Sequence, residues 1–150
     1  DFGCASVTEY HASYAGSAHF AAPEVHRALD NEDAQAAGQP PPVAPFSCKR
    51  ADVWSAGVCL FALLATRLPF EGAEETAAER AALRSKICRG VWDAEPDCGE
   101  LVRELLETML TVAPAERSTL AEVIEHPWVG GAAAVPWQGL DENTFQEVAL

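Results

Sequence analysis

Three observations in the sequence predict a mainly α domain. Residues 51–65 are apolar almost all the way round a helical wheel, residues 101–110 repeat apolar pairs at helical spacing, and no stretch reads as a convincing strand. The chain has 150 residues, 49% of them hydrophobic and 22% charged, which suffices for one domain with a sizeable core and argues against disorder throughout.

Residues 1–20 follow neither a helical nor a strand period and are rich in Ser, Thr, His, Tyr and Gly. A loop this long in a compact domain is usually functional, so an ordered or switchable loop is predicted. A short helix is predicted over Pro23–Leu29, with Pro23 in a first turn where its missing N–H is no loss. From Asp30 to Pro45 the composition shifts to Ala, Gln, Gly and Pro, including Pro40-Pro41-Pro42, which predicts an exposed, partly polyproline insertion. Pro42-Val43-Ala44-Pro45 fits the PxxP pattern of groove ligands, but no basic residue flanks it closely, and a plain surface insertion is the simpler reading.

The helix at 51–65 has Asp52 and Ser55 as its polar exceptions and is predicted to be buried on every side, with Cys59 a small core residue. It is too short for a bilayer, which needs about 20 residues. Leu68-Pro69-Phe70 is expected to end it, and a helix over Thr76–Arg89 follows, closed by Gly90. Leu101, Val102, Leu105, Leu106, Met109 and Leu110 form one core-facing stripe, with Pro114 as the stop. Thr119-Leu120-Ala121-Glu122 is a capping box, so a last helix starts there and ends near His126, because Pro127 disfavours a helical residue before it. Residues 130–150, with Gly130-Gly131 and Ala132–Ala134, are expected to be a loosely held tail on which Trp137 and Phe145 could dock.

The net charge of -13 argues against binding the nucleic-acid backbone or an anionic membrane, since both need a basic face; acidic surfaces suit basic partners. Cys4, Cys48, Cys59, Cys88 and Cys98 are scattered, with no Cys-x-x-Cys pair and no His at ligand spacing. Neither structural zinc nor a disulfide framework is expected, and reduced thiols point to an intracellular, cytoplasmic setting. The first residue is Asp and no targeting signal is legible, which suggests a piece of a longer product.

Asp1-Phe2-Gly3 is weak alone, but Ala22-Pro23-Glu24 follows it, with residues 4–21 between. Behind this pair come Ala51-Asp-Val-Trp-Ser-Ala-Gly57, Leu68-Pro-Phe70, Arg117 and His126-Pro-Trp128. In this order and spacing the chain resembles the helical C-terminal lobe of a eukaryotic protein kinase. The resemblance divides it into an activation segment at 1–24, an insertion at 30–45, a helical base at 51–128 and a tail at 130–150, the partial kinase domain covering 1–129. Gly16-Ser-Ala-His-Phe-Ala-Ala-Pro-Glu24 looks most like the calmodulin-dependent and AMP-activated group of serine/threonine kinases, with brain-selective and budding-yeast septin-associated members nearest.

The resemblance implies roles as well as a fold. Asp1 would hold Mg²⁺ bridging the phosphates of ATP, Phe2 would pack beneath the regulatory helix, and Gly3 would give the triplet freedom to flip. Ser17 stands where serine/threonine kinases place a hydroxyl beneath the substrate. Ala18 departs from the frequent Pro, leaving a freer substrate loop, and His19 and Phe20 would wall the pocket for the residue after the target hydroxyl. Ser13 sits where relatives are phosphorylated by an upstream kinase, a change that adds close to two negative charges; Thr8 is a more distant candidate. Glu24 and Arg117 would form a buried structural ion pair. Asp52 would be a buried charge anchoring the catalytic loop. Glu71, Glu74, Glu75 and Glu79 hint at basic peptide substrates, although a solvated helix start explains Glu74 and Glu75 equally well.

A Gly-rich loop, a strand Lys with its Glu partner and a His-Arg-Asp catalytic loop are absent from these residues. The 150 residues alone are therefore expected to be inactive, with helix 51–65 exposing an apolar patch. Two readings follow: an ATP- and Mg²⁺-dependent serine/threonine kinase represented by part of its length, or a pseudokinase or kinase-lobe fragment that only binds proteins.

Overall fold

The computed structural model describes residues 5–93 and 96–133. Among them the order is β1 (Tyr10–His11), α1 (Pro23–Arg27), α2 (Leu29–Ala36), β2 (Phe46–Ser47), α3 (Cys48–Ala65), α4 (Ala77–Arg89), α5 (Glu100–Met109), α6 (Leu120–Glu125) and α7 (Pro127–Ala133). The mainly helical expectation holds. Helix α3 is the axis: Trp54, Val58 and Phe61 meet Phe70, Leu83, Ile87, Val102, Leu106 and Leu110 in the main core. Trp54 stacks on Phe70 with centroids 5.7 Å apart, and Phe61 meets Trp92 edge-on at 5.3 Å. Val53, Leu105 and Met109 form a second cluster.

Helix α3 is not buried on every side. Ala51, Val53, Trp54, Gly57, Val58 and Phe61 are buried, whereas Asp52, Ala56, Cys59 and Leu63 lie on the opposite stripe and are exposed, Leu63 at 81%. Cys59 is thus no core residue, and Asp52 carries no burial penalty. The pattern of apolar residues reports what a face would tolerate, not whether another element covers it. The helix also ends before Leu68, at Thr66, whose φ of 56° breaks the helical path.

Three further expectations are corrected. Two strands exist, pairing Tyr10 with Ser47 and His11 with Phe46, but at two residues each they are too short to show a period of two. The insertion begins as helix α2, because Leu-Asp-Asn-Glu-Asp-Ala-Gln-Ala contains good helix formers and its prolines start only at Pro40. Residues 127–133 form α7 rather than the start of a loose tail. Pro127 suits its first position, the Trp128 amide donates to His126 Nδ1 at 3.3 Å, and Val129 packs against the second cluster. Trp137 and Phe145 lie outside the described residues.

Local chemistry explains the helix ends. Thr76 with Glu79 and Thr119 with Glu122 are full capping boxes opening α4 and α6. Gly90 closes α4 at φ 66°, a left-handed geometry that disfavours any side chain. Helix α5 stops at Met109, well before Pro114, and Arg117 Nε donates to the Thr111 carbonyl at 2.9 Å beyond that end. No helix among the described residues is long and apolar enough to cross a membrane.

Candidate functional site

The stretch from residue 5 to residue 20 runs over the surface, and the first buried residues come at Ala21 and Ala22. A tight turn marks the border: the Ser17 carbonyl accepts from the Phe20 and Ala21 amides at 3.1 Å each. Gly16 enters the turn at φ 91°, which a side chain would strain. Two side chains fix the turn from outside, and one of its own reaches out. Ser55 Oγ on α3 donates to the Phe20 carbonyl at 2.9 Å, with the Ala51 carbonyl a second acceptor at 3.2 Å. His26 Nε2 on α1 donates to the Ala18 carbonyl at 2.9 Å. His19 itself reaches out, with Nε2 3.0 Å from the Gly72 carbonyl and Nδ1 2.6 Å from Glu74 Oε1. A histidine facing two acceptors donates to both only as the imidazolium.

Burial of His26 moves its imidazole below the ordinary value, with Arg84 and His19 adding to this against the Ala18 bond, so the neutral ring is favoured. Burial also raises Tyr14, whose ring lies 5.6 Å from that of His26, and Glu74 raises it further. Burial raises the Cys48 and Cys88 thiols, Cys48 with help from Asp52, so neither is an activated nucleophile.

Glu24, Arg117 and Trp54 meet in one buried knot behind the turn. Arg117 Nη1 and Nη2 donate to Glu24 Oε1 and Oε2 at 2.6 and 2.8 Å, and Nη1 also donates to the Arg50 carbonyl at 2.7 Å. The guanidinium lies 5.1 Å from the centre of the Trp54 ring, and Arg50 Nη1 donates in turn to the Arg117 carbonyl. Such bidentate, fully hydrogen-bonded geometry is what makes a buried charge pair tolerable.

Two hollows flank these residues. One of about 450 Å³ is lined by His11, Ser13, Gly16, Ala22, Asp52 and Ser55 among others; a larger one of about 990 Å³ is lined by Tyr10, Lys49, Asp52, Val53, Met109 and Leu120 among others. Asp52 lines both. Ser13 and Ser17 are exposed, as is Phe20 at 36%. The acidic group is divided: Glu79 is consumed by its capping box, Glu74 by His19, and Glu71 and Glu75 stay exposed. Asp93 lies below the ordinary carboxylate value, chiefly through its hydrogen bond from Lys86.

Asp1, Phe2 and Gly3 lie outside the described residues. Among the described residues no group of three or more His, Cys, Asp or Glu side chains could hold a metal ion. Of the residues that position the turn, His26, Ser55 and Glu74 were not assigned that part from the sequence, since nothing in the spacing of a His or Ser shows which backbone carbonyl it meets.

A family model described as "Protein kinase domain" matches residues 1–129. A probable serine/threonine-protein kinase of Dictyostelium discoideum is 35% identical over 132 residues, covering 85% of this chain and 13% of that protein. The mitosis inducer protein kinase cdr1 of Schizosaccharomyces pombe is 33% identical over 149 residues, covering 96% and 21%. Calcium-dependent protein kinase 31 of Arabidopsis thaliana is 31% identical over 168 residues, covering 100% and 30%. The chain therefore spans less than a third of the length of these relatives.

Proposed function

This chain belongs to the protein kinase domain family, and we propose that the complete protein is an ATP- and Mg²⁺-dependent serine/threonine kinase, with residues 1–24 its activation segment and α3 to α6 the base of its helical lobe. One observation carries the reading. Glu24 of the Ala-Pro-Glu triplet, Trp54 of the Asp-Val-Trp triplet and Arg117, distant in sequence, converge in one buried knot that ties α1, which follows the turn at 17–20, to α3 and to the segment before α6. This is the arrangement a peptide platform needs: an exposed loop with a rigid floor.

The described residues do not by themselves build a site for ATP or Mg²⁺; Asp1, the carboxylate assigned to the ion, would need partners from the rest of the protein. When bound, ATP supplies the phosphoryl group and Mg²⁺ neutralises the charge developing on it. The described residues position the acceptor. Ser17 presents its hydroxyl at the turn, Phe20 and His19 form the wall beside it, and Ser55 and His26 hold the backbone to which they belong. Asp52 faces the hollow next to the turn, where it can accept hydrogen bonds from a catalytic loop. Exposed Glu71 and Glu75 favour basic residues flanking the target. Ser13, exposed on the rim of the smaller hollow, is the site for an upstream kinase.

The test uses the complete protein with Mg²⁺ and γ-labelled ATP on serine peptides carrying basic or acidic flanks. Label is expected on serine, faster with basic flanks, and Asp1→Asn is expected to lower the rate by at least about 100-fold, in line with loss of a charge-stabilising group. A folded protein that transfers no label would instead support the protein-binding reading.

A further inference from the structure

The insertion is a segment that the family resemblance leaves without a task. Most of it is exposed, yet Asn31 is only 6% exposed, and a buried amide needs its full complement of partners. It has them. Asn31 Nδ2 donates to the Ala12 carbonyl at 3.1 Å and to the Val43 carbonyl at 3.0 Å, and its Oδ1 accepts from the Val43 amide at 2.8 Å. Both amide hydrogens and the oxygen are used, so a carboxylate here would turn two attractive contacts into repulsive ones. The side chain thus ties together the first turn of α2, the Pro-rich return segment and the backbone just before Ser13.

Neighbouring residues extend the grip. Glu32 Oε1 accepts from the Tyr14 amide at 3.1 Å, on the far side of Ser13. At the other end of the insertion β2 pairs with β1, and the Cys48 amide donates to the Glu9 carbonyl at 2.9 Å. Asp30 anchors the assembly to the helical base through Arg84 at 2.8 Å. The backbone on both sides of Ser13 is therefore held by the insertion, with the Ser13 side chain left exposed.

We propose that the insertion at 30–45, together with the β2 strand and Cys48 that follow it, is an internal brace that holds residues 9–14 in place without a phosphate on Ser13, with Asn31 as its pin. An activation segment ordered by phosphorylation gains its contacts only with the added charge. Here hydrogen bonds and an ion pair from the same chain supply the order beforehand. Asn31 is a positioning residue; it acts through the backbone of Ala12 and Val43.

Hydrogen exchange on the complete protein reads the brace directly. Asn31→Ala is expected to speed exchange in residues 9–15 by about fivefold or more, the effect of losing about one net hydrogen bond to a surface segment. Glu32→Ala, at an exposed position, is expected to speed exchange at Tyr14, whereas Glu32→Gln keeps the acceptor and is expected to leave it near the wild-type rate. If Asn31→Ala fails to fold, the Glu32 pair decides. Unchanged exchange in folded Asn31→Ala and in Glu32→Ala would overturn the proposal, as would equal acceleration by Glu32→Ala and Glu32→Gln. Phosphatase treatment supplies a further arm, which rests on Ser13 being modified: wild-type exchange should stay unchanged, and loosening of 9–15 in dephosphorylated wild type would overturn the brace. None of these readouts requires phosphoryl transfer, so a protein inactive as a kinase would still test it.

Discussion

Residues 5–20 and residues 21–28 are consecutive in the chain and held by opposite means. In the first stretch no residue is buried, and the ties to the rest of the molecule are mainly hydrogen bonds at single points: Tyr14 to Glu32, Ala12 to Asn31, Ala18 to His26, Phe20 to Ser55. In the second, all residues but Arg27 are buried, and Ala21, Ala22 and Val25 belong to the main core. Each hydrogen bond contributes about 1 kcal/mol net, so the first stretch can exchange partners one at a time. The second is part of a cooperative core, where one loss disturbs many neighbours.

This contrast can be broken most severely at its hinge. Arg117→Ala leaves Glu24 as an uncompensated buried carboxylate, and a loss of about 3–5 kcal/mol is expected in denaturant unfolding of the complete protein. A loss below about 1 kcal/mol would mean that the knot does not hold α1 to the helical base.

A smaller effect is expected with pH. Burial holds His26 below its ordinary value of 6.5, so the folded state binds fewer protons there than the unfolded chain. Its contribution is full above about pH 6.5 and is lost as pH falls through the lowered value of the folded state. Thermal melts from about pH 7 to 5 should fall more steeply for the wild type than for His26→Gln, whose amide can still donate to the Ala18 carbonyl but does not titrate. Parallel slopes would place the pH sensitivity elsewhere.

The smallest effect belongs to the exposed stretch. Ser13→Ala touches no buried contact and is expected to change stability by less than about 0.5 kcal/mol. A larger loss in melts of the unphosphorylated protein would show that the surface stretch is more tightly integrated than its polar ties imply.

Much of the frame was legible because it rests on local chemistry. The Thr119 capping box and the Gly90 terminus fall where the sequence places them, since a cap is made within a few residues. Ala22-Pro23-Glu24 and Arg117 stood out as motif residues through the family resemblance. By contrast, α2 hid inside a segment marked by its prolines, and α7 hid behind Gly130-Gly131, whose poor helix propensity is offset by packing on α5 and α6. Asn31 gave no signal, because a lone Asn in a polar run looks like any turn residue until its partners at Ala12 and Val43 are known.

By itself, then, the sequence determined the helical class, the capped helix ends and the ordered motifs of a kinase domain, all properties of short stretches of chain. Only the tertiary structure decided which stripe of α3 is open, that Asp52 lies on it and that the insertion grips the loop around Ser13. These depend on which distant segments meet, and local propensity and periodicity do not encode that meeting.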